Sequence, residues 1–392
     1  MKFYTESSPH IKDRDTTNKI MLRVIIALLP TIIYSVILFG FRVIILYLTS
    51  IITCMLSTLI VKKIRNKPLF IDYAVFITAV LLVMTLPPST TITMVIIGGI
   101  IAIVFAKEVF GGLGSNIFNP ALVGRAFLQM AFPSQMTAYI SPKNIPFLKL
   151  FENSLKDLNI TITGASQTLD AINSLTSATP LTFIKYNAID FGDSLLSQIQ
   201  IESHYYLQMF LGSTAGAIGE TSSFLLLIGG IFLIATNTID YRIPLGMFIS
   251  LIIVSFLLWF AVPNKIGSPI YQILSGGFIL GAFFMATDMV TCPSSHLGAW
   301  IYAILIGSVV AILRAIGSSP EYMMYSILIG NMFMPLISIL TRPLPVGKKE
   351  LIAINQKKEI NNEKRSWLYC SYFYHNYIFA CWVLTFVYIF LF

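Results

Sequence analysis

Ionisable side chains are scarce in the apolar stretches of this chain, so the few that occur there are the first candidates for chemistry. Asp72, Lys107, Glu108, Arg125, Glu220, Asp288 and Arg314 lie at or near membrane depth. A charge in lipid costs roughly 2.5 kcal/mol or more, which makes each a candidate for ion passage. For most of them a plainer role is expected, because they fall at predicted span ends, where long side chains reach headgroups and short ones cap helices. Asp288 differs: "ATDMVT" ends a Gly-rich span in the second half, and Asp72 opens its counterpart in the first. These two are the candidate ion-path residues. A second group is the hydroxyl-rich run Asn173-Ser174-Leu175-Thr176-Ser177-Ala178-Thr179-Pro180-Leu181-Thr182, which by composition alone reads as a solvated loop. The cysteines (54, 292, 370, 381) and histidines (10, 204, 296, 375) are dispersed, with no C-x-x-C run, so no metal site is expected.

The elements that must position these residues are membrane helices. Of 392 residues, 56% are hydrophobic and 11% charged, and the mean hydropathy is +0.78. Apolar surface on that scale exceeds what a water-soluble fold buries. The formal charge of +8 does not point to nucleic acid, because the Lys and Arg residues gather in short loops beside apolar spans. Crossing the hydrocarbon takes roughly 20 apolar residues. Spans are predicted near 20–39, 43–61, 69–86, 91–109, 120–132, 221–238, 244–262, 270–287, 298–314 and 322–341.

Basic clusters at Lys62, Lys63, Arg65 and Lys67, and at Arg342, Lys348 and Lys349, place those links in the cytoplasm by the positive-inside rule. The N-terminus, Lys107 and Arg125 follow them inside, and the segment from Pro133 to Tyr206 goes to the outer, periplasmic face. Met1 to Lys19 is polar and carries no cleavage pattern, so the first span is expected to remain in the mature protein.

A weak internal repeat relates "AVLLVMTLPPST…IAIVFAKEVFGGLGSNIFNPALVGRAF" to "FILGAFFMATDMVTCPSS…GSVVAILRAIGSSPEYMMYSILIGNMF", aligning Lys107 with Arg314. The fold expected is an all-α polytopic membrane protein of about ten transmembrane helices in two inverted five-helix repeats, with a long periplasmic loop. Residues 1–132 form the first half, 133–206 the loop, 207–349 the second half, and 350–392 a basic linker with an apolar tail long enough for an eleventh span. Inverted repeats place binding sites near the midplane at broken helices. The candidate breaks are Leu86–Pro88, Gly111–Pro120, Leu211–Gly219 and Thr287–Pro293.

The run ending at Thr179 resembles the flavin-attachment motif D-x-x-[S/T]-G-A-T of the D subunit of the Rnf ion-translocating electron transport complex. The B subunit of the sodium-pumping NADH:quinone oxidoreductase carries the same motif. Thr176, Ala178 and Thr179 are retained, while Asn173 stands where the family has Asp and Ser177 where it has Gly. "SSPHIKDRDTTNKIMLRVIIALLP", "FAKEVFGGLGSNIFNPALVGRAFL", "LSGGFILGAFFMATDMVT" and "GNMFMPLISILTRPLP" are similar to the Rnf protein in the same order, up to about Lys349. The longer N-terminal extension of the sodium-pump relative is absent.

This resemblance implies a bacterial inner-membrane subunit of a complex that couples electron transfer between carriers such as NADH and ferredoxin to Na⁺ or H⁺ movement. It implies FMN bound through phosphate to Thr179 within the motif Thr176, Ser177, Ala178, and a second, noncovalent flavin (riboflavin) in the bundle, for which Gly111, Gly112, Gly114 and Asn119 offer backbone donors at a broken helix. It implies a flavin transferase and other subunits as partners. The chain has no G-x-G-x-x-G unit for a dinucleotide, so no complete active site is expected on it, and no residue is assigned as catalytic. The competing reading is a secondary transporter or solute channel built from inverted repeats.

Overall fold

A computed structural model describes residues 15–69, 72–140, 181, 206, 209–212, 214–220, 222–261, 267–317 and 321–342. The chain divides into two compact units, Met1–Leu340 and Thr341–Phe392. All but the first two residues of the second lie outside the described set, as does the expected eleventh span.

The first unit is an all-α, multi-span membrane protein. Among the described residues its helices are α1 (Thr17–Phe39), α2 (Phe41–Ile64), α3 (Tyr73–Met84), α4 (Ile92–Ile100), α5 (Pro120–Ala131), α6 (Ser223–Ala235), α7 (Arg242–Ala261), α8 (Pro269–Leu274), α9 (Phe278–Leu280), α10 (His296–Ile316) and α11 (Met323–Leu340). Five of them, α1, α2, α7, α10 and α11, have 18 to 24 residues and the hydropathy to cross a bilayer. Their outward faces are large apolar side chains, such as Leu22, Ile26, Ile33 and Ile37 on α1 and Ile249, Ile253 and Leu257 on α7, all exposed. With no lipid to cover them these would form a patch far larger than a water-soluble protein carries.

Where the helices begin follows from local chemistry. Thr16, Asn119, Ser222, Ser268 and Ser295 each accept a hydrogen bond from a first-turn amide, satisfying a donor that no preceding carbonyl can reach. Pro120 and Pro269 follow two of these caps, where the missing N–H costs nothing. Gly40 (φ 76°) turns the chain sharply between α1 and α2.

Several expected spans are shorter or interrupted. The span at 69–86 is a helix of 12 residues, Tyr73–Met84, and the one at 221–238 has 13, Ser223–Ala235. The span at 270–287 breaks at Ser275–Gly277, where Gly276 (φ 66°) and Gly277 (φ 62°) take left-handed conformations. Each sequence repeat contains a π-helical turn continuing an α-helix: Ile101–Glu108 after α4, with the Val109 amide on the Val104 carbonyl at 2.9 Å, and Gly281–Met285 after α9, with the Ala286 amide on Gly281 at 2.8 Å. Such insertions are concentrated at functional sites.

The breaks at 85–91, 109–119 and 286–295 coincide with those read from the sequence, as do the described residues 212 and 214–220 of the remaining one. They are sealed against one another. The Ile218 amide donates to the Leu86 carbonyl at 2.9 Å, and Asn119 Nδ2 donates to the Met285 carbonyl at 3.1 Å. Irregular backbone survives at membrane depth only when protein groups satisfy it in this way. Close packing of small residues completes the joint: a Cβ on Gly229 of α6 would lie 2.5 Å from the Ala27 carbonyl oxygen of α1, and one on Gly219 would lie 2.6 Å from Met84 Cβ.

Candidate functional sites at the two ends of the bundle

One site gathers around the break after the first π-helical turn. A cavity of about 80 Å³ lies between α1, α3, α6, the segment from Lys107 to Pro120, and Phe283 to Val290. Its wall is mostly apolar, with Thr78, Lys107, Asn116, Asn119, Thr238, Thr287 and Asp288 as the polar groups. Asn116 Nδ2 and Thr291 Oγ1 both donate to Asp288 Oδ2 at 3.4 Å. Burial pushes the Asp288 carboxyl up, against hydrogen bonds from the Val290 amide, Asn116 and Thr291. Lys107 Nζ is buried and finds no hydrogen-bond partner, and the same holds for Glu108 Oε1.

Asp72 stands nearby, paired with Lys62 at 3.4 Å, and Lys107 feels both Asp72 and Asp288 electrostatically. The structure therefore brings the two candidate ion-path residues to the same end of the bundle with a buried ammonium between their fields. The basic link after α2 is used structurally as well. Arg65 donates to the Glu108 carbonyl and Lys67 Nζ to the Gly111 carbonyl at 3.0 Å, capping the end of the π-helical turn where unsatisfied carbonyls point.

The second site lies at the opposite end, where α6 begins and α10 ends. Arg125 Nη2 donates to Glu321 Oε2 at 2.8 Å, with side-chain exposures of 5% and 8%. Tyr139, also buried, stands against both. Arg314 gives its Nη1 to the Gln272 carbonyl (2.6 Å) and Gln272 Oε1 (3.0 Å), and its Nη2 to the carbonyls of Ser275 (3.0 Å) and Gly276 (3.1 Å). Its guanidinium thus closes the break between α8 and α9. Glu220, in the turn ahead of α6, is held by the Ala217 amide at 3.4 Å. Burial, and then the like charge of Glu321, lift its carboxyl from the ordinary 4.5 to about 8, against the pull of Arg125 and Arg314. Leu181 is buried at the same place, packed on Gly276 and lining a small cavity with Glu220 and Glu321.

The expectation that Lys107, Glu108, Arg125 and Arg314 reach toward headgroups is corrected by this arrangement. All four are at most 4% exposed, because the broken helices supply carbonyls and carboxylates inside the bundle. Arg125, expected on the same face as Lys107, belongs instead to the opposite cluster. Sequence reasoning missed Glu321, Asn116, Tyr139 and Gln272. The signal for Glu321 was present as an acid after Pro320 just ahead of α11; nothing local marks the other three. Thr176, Ser177, Ala178 and Thr179 lie outside the described residues.

The comparisons with known proteins agree with this architecture. The profile of the NQR2, RnfD, RnfE family matches residues 4–347. The chain belongs to this family. It is 36% identical over 348 residues to the D subunit of the proton-translocating ferredoxin:NAD(+) oxidoreductase complex of Clostridium ljungdahlii, covering 88% of this chain and 97% of that protein. It is 34% identical over 358 residues to the D subunit of the ion-translocating oxidoreductase complex of Pectobacterium atrosepticum, covering 88% and 99%. The counterpart in Actinobacillus succinogenes is 35% identical over 357 residues, with 88% and 98% covered. The family match ends at 347, just before the basic linker.

Proposed function

We propose that the chain is the D-type membrane subunit of an Rnf-type complex of the bacterial inner membrane, which couples electron transfer between carriers of the NADH and ferredoxin type to Na⁺ or H⁺ translocation. The carrying observation is the family match over residues 4–347, together with Thr176, Ala178 and Thr179 standing at the attachment motif. FMN joined to Thr179 would accept electrons singly or in pairs and so relay between partner subunits. The cavity of about 80 Å³ beside Asn116, Asn119 and Lys107 is too small for a flavin ring system and gives a second, noncovalent flavin no seat.

The chain's own part is to hold position and charge. The sealed breaks keep water from crossing freely, the apolar helix faces seat the subunit in lipid, and the carboxylates of Asp288 and Asp72 offer a cation a resting place at one end, with the Lys107 ammonium there to repel it onward. Family membership favours this reading over an independent secondary transporter or solute channel, which has only the broken helices in its support.

The test is covalent flavin itself. Expressed with its flavin transferase and run on a denaturing gel under ultraviolet light, the chain gives a fluorescent band that Thr179→Val abolishes. A band that survives the substitution removes Thr179 from the proposal, and no band in the unaltered chain removes the covalent flavin. Asp288→Asn in the assembled complex is expected to slow coupled ion uptake severalfold. Uptake at the original rate with normal electron flow rules out its role.

A further inference from the structure

Lys107 faces the interior because of the π-helical turn that carries it. Along α4 the lipid-facing side chains are Ile96 and Ile100, 37% and 39% exposed. An α-helix continued from Ile100 would bring residue 107 to that same face two turns on. The turn Ile101–Glu108 shifts the register by one residue, about 100° of rotation, so the lipid face resumes at Phe105 and Val109 while Lys107 is 2% exposed. The backbone irregularity thus moves an ammonium out of lipid and into the cavity beside Asp288.

That ammonium is unpaired there. Asp72, Asp15 and Asp240, at the same end, each have a base of their own: Lys62 at 3.4 Å, Arg23 at 2.7 Å and Arg242 at 3.1 Å. Among the described residues Lys107 and Asp288 stand in no ion pair, although both line the cavity of about 80 Å³. This volume has room for several waters, or for a monovalent cation with part of its hydration shell. It also gives the flexible four-carbon stem of a lysine space to swing. The ammonium has a carboxylate on either side, Asp72 at the start of α3 and Asp288 in the break before α10, and feels both charges.

We propose that Lys107 is a tethered stand-in for the transported cation: its ammonium neutralises Asp288 while no ion is held, and swings toward Asp72 when a monovalent metal cation takes that place. This rests on the cation-holding role of Asp288. Charge balances at every exchange, one positive charge leaving the carboxylate as another arrives, and no proton is gained or lost. The carboxylate is never left uncompensated, so the unloaded site can reset without a stranded charge. An ammonium can replace a metal ion because both meet a carboxylate as a point charge, whereas a proton forms an O–H bond and needs no stand-in.

The experiment uses the assembled complex in sealed vesicles, with electron flow running and uptake of radioactive Na⁺ followed against Na⁺ concentration. Removing a competitor leaves the ion bound more tightly and released more slowly. Lys107→Met is therefore expected to lower the half-saturating Na⁺ concentration about tenfold and to slow maximal uptake by a similar factor. Lys107→Arg keeps the charge and should return both values toward those of the unaltered complex. A packing role alone would weaken binding and uptake together, so a raised half-saturating concentration in Lys107→Met overturns the proposal, as does an unchanged one. Should Lys107→Met fail to assemble, Lys107→Gln, uncharged but still able to hydrogen-bond, is read in the same way. Uptake that does not respond to Na⁺ in the unaltered complex overturns the stand-in role outright. Unimpaired uptake in Asp288→Asn overturns the role of Asp288 and this proposal with it; an impaired Asp288→Asn beside an unchanged Lys107→Met overturns this proposal alone.

Discussion

The Arg125–Glu321 pair joins α5 to the lead-in of α11, residues 196 apart in the chain, at 2.8 Å and with neither side chain more than 8% exposed. Replacing Glu321 by Ala leaves the guanidinium buried beside Tyr139 with its ionic partner gone. Breaking a buried pair from one side costs about 3–5 kcal/mol, since the stranded charge cannot regain its hydration. At about 2 °C per kcal/mol for a large cooperative unit, this is a fall in Tm of roughly 6–10 °C. The assay is intrinsic tryptophan fluorescence of the detergent-solubilised chain during heating. The double variant Arg125→Met, Glu321→Leu removes both charges at similar volume and should recover most of the loss, because desolvation offsets the attraction within an intact pair. A Glu321→Ala shift below about 2 °C, or a double variant as unstable as the single one, refutes the reasoning. The first result would mean that water reaches Arg125; the second, that the side chains matter by shape alone.

Two further outcomes follow from the geometry. Gly229→Ala places its methyl 2.5 Å from the Ala27 carbonyl oxygen, a backbone atom that cannot swing away. It should cost about 1–3 kcal/mol by the same thermal assay, and an unchanged Tm would show that α1 and α6 are free to separate. Glu220 gives a pH dependence. Its carboxyl titrates at about 8 when folded and near 4.5 otherwise, so between those values the folded state binds a proton that the unfolded chain has released. Stability therefore falls as pH rises through that window, and Glu220→Gln should flatten this part of the Tm-against-pH curve. A slope identical in the variant assigns the titration to another group.

Hydropathy alone located the five long apolar helices α1, α2, α7, α10 and α11, because each carries its apolar length within one continuous segment. The basic link at 62–67 and the breaks near Pro87, Gly111 and Pro293 were legible because each is set by residues within a turn of itself. The family, too, could be read from four motifs that stand in the family's order on either side of Thr179. Helix length was less legible. The helix that opens at Tyr73 ends at Met84, short of a full crossing, because Pro87 and Pro88 stop it, and the Leu86 carbonyl left free is taken by the Ile218 amide.

Only the tertiary structure decided which charges are buried and with whom. Arg125 and Arg314 look like snorkelling residues until Glu321 and the carbonyls of residues 272–276 are brought to them from elsewhere in the chain. The two ends also separate in three dimensions alone, with Lys107, Asp72 and Asp288 at one and Glu220, Arg125, Arg314 and Glu321 at the other. A buried charge is tolerated or not according to partners brought from distant parts of the chain, so its fate is a property of the assembled bundle and of no single segment.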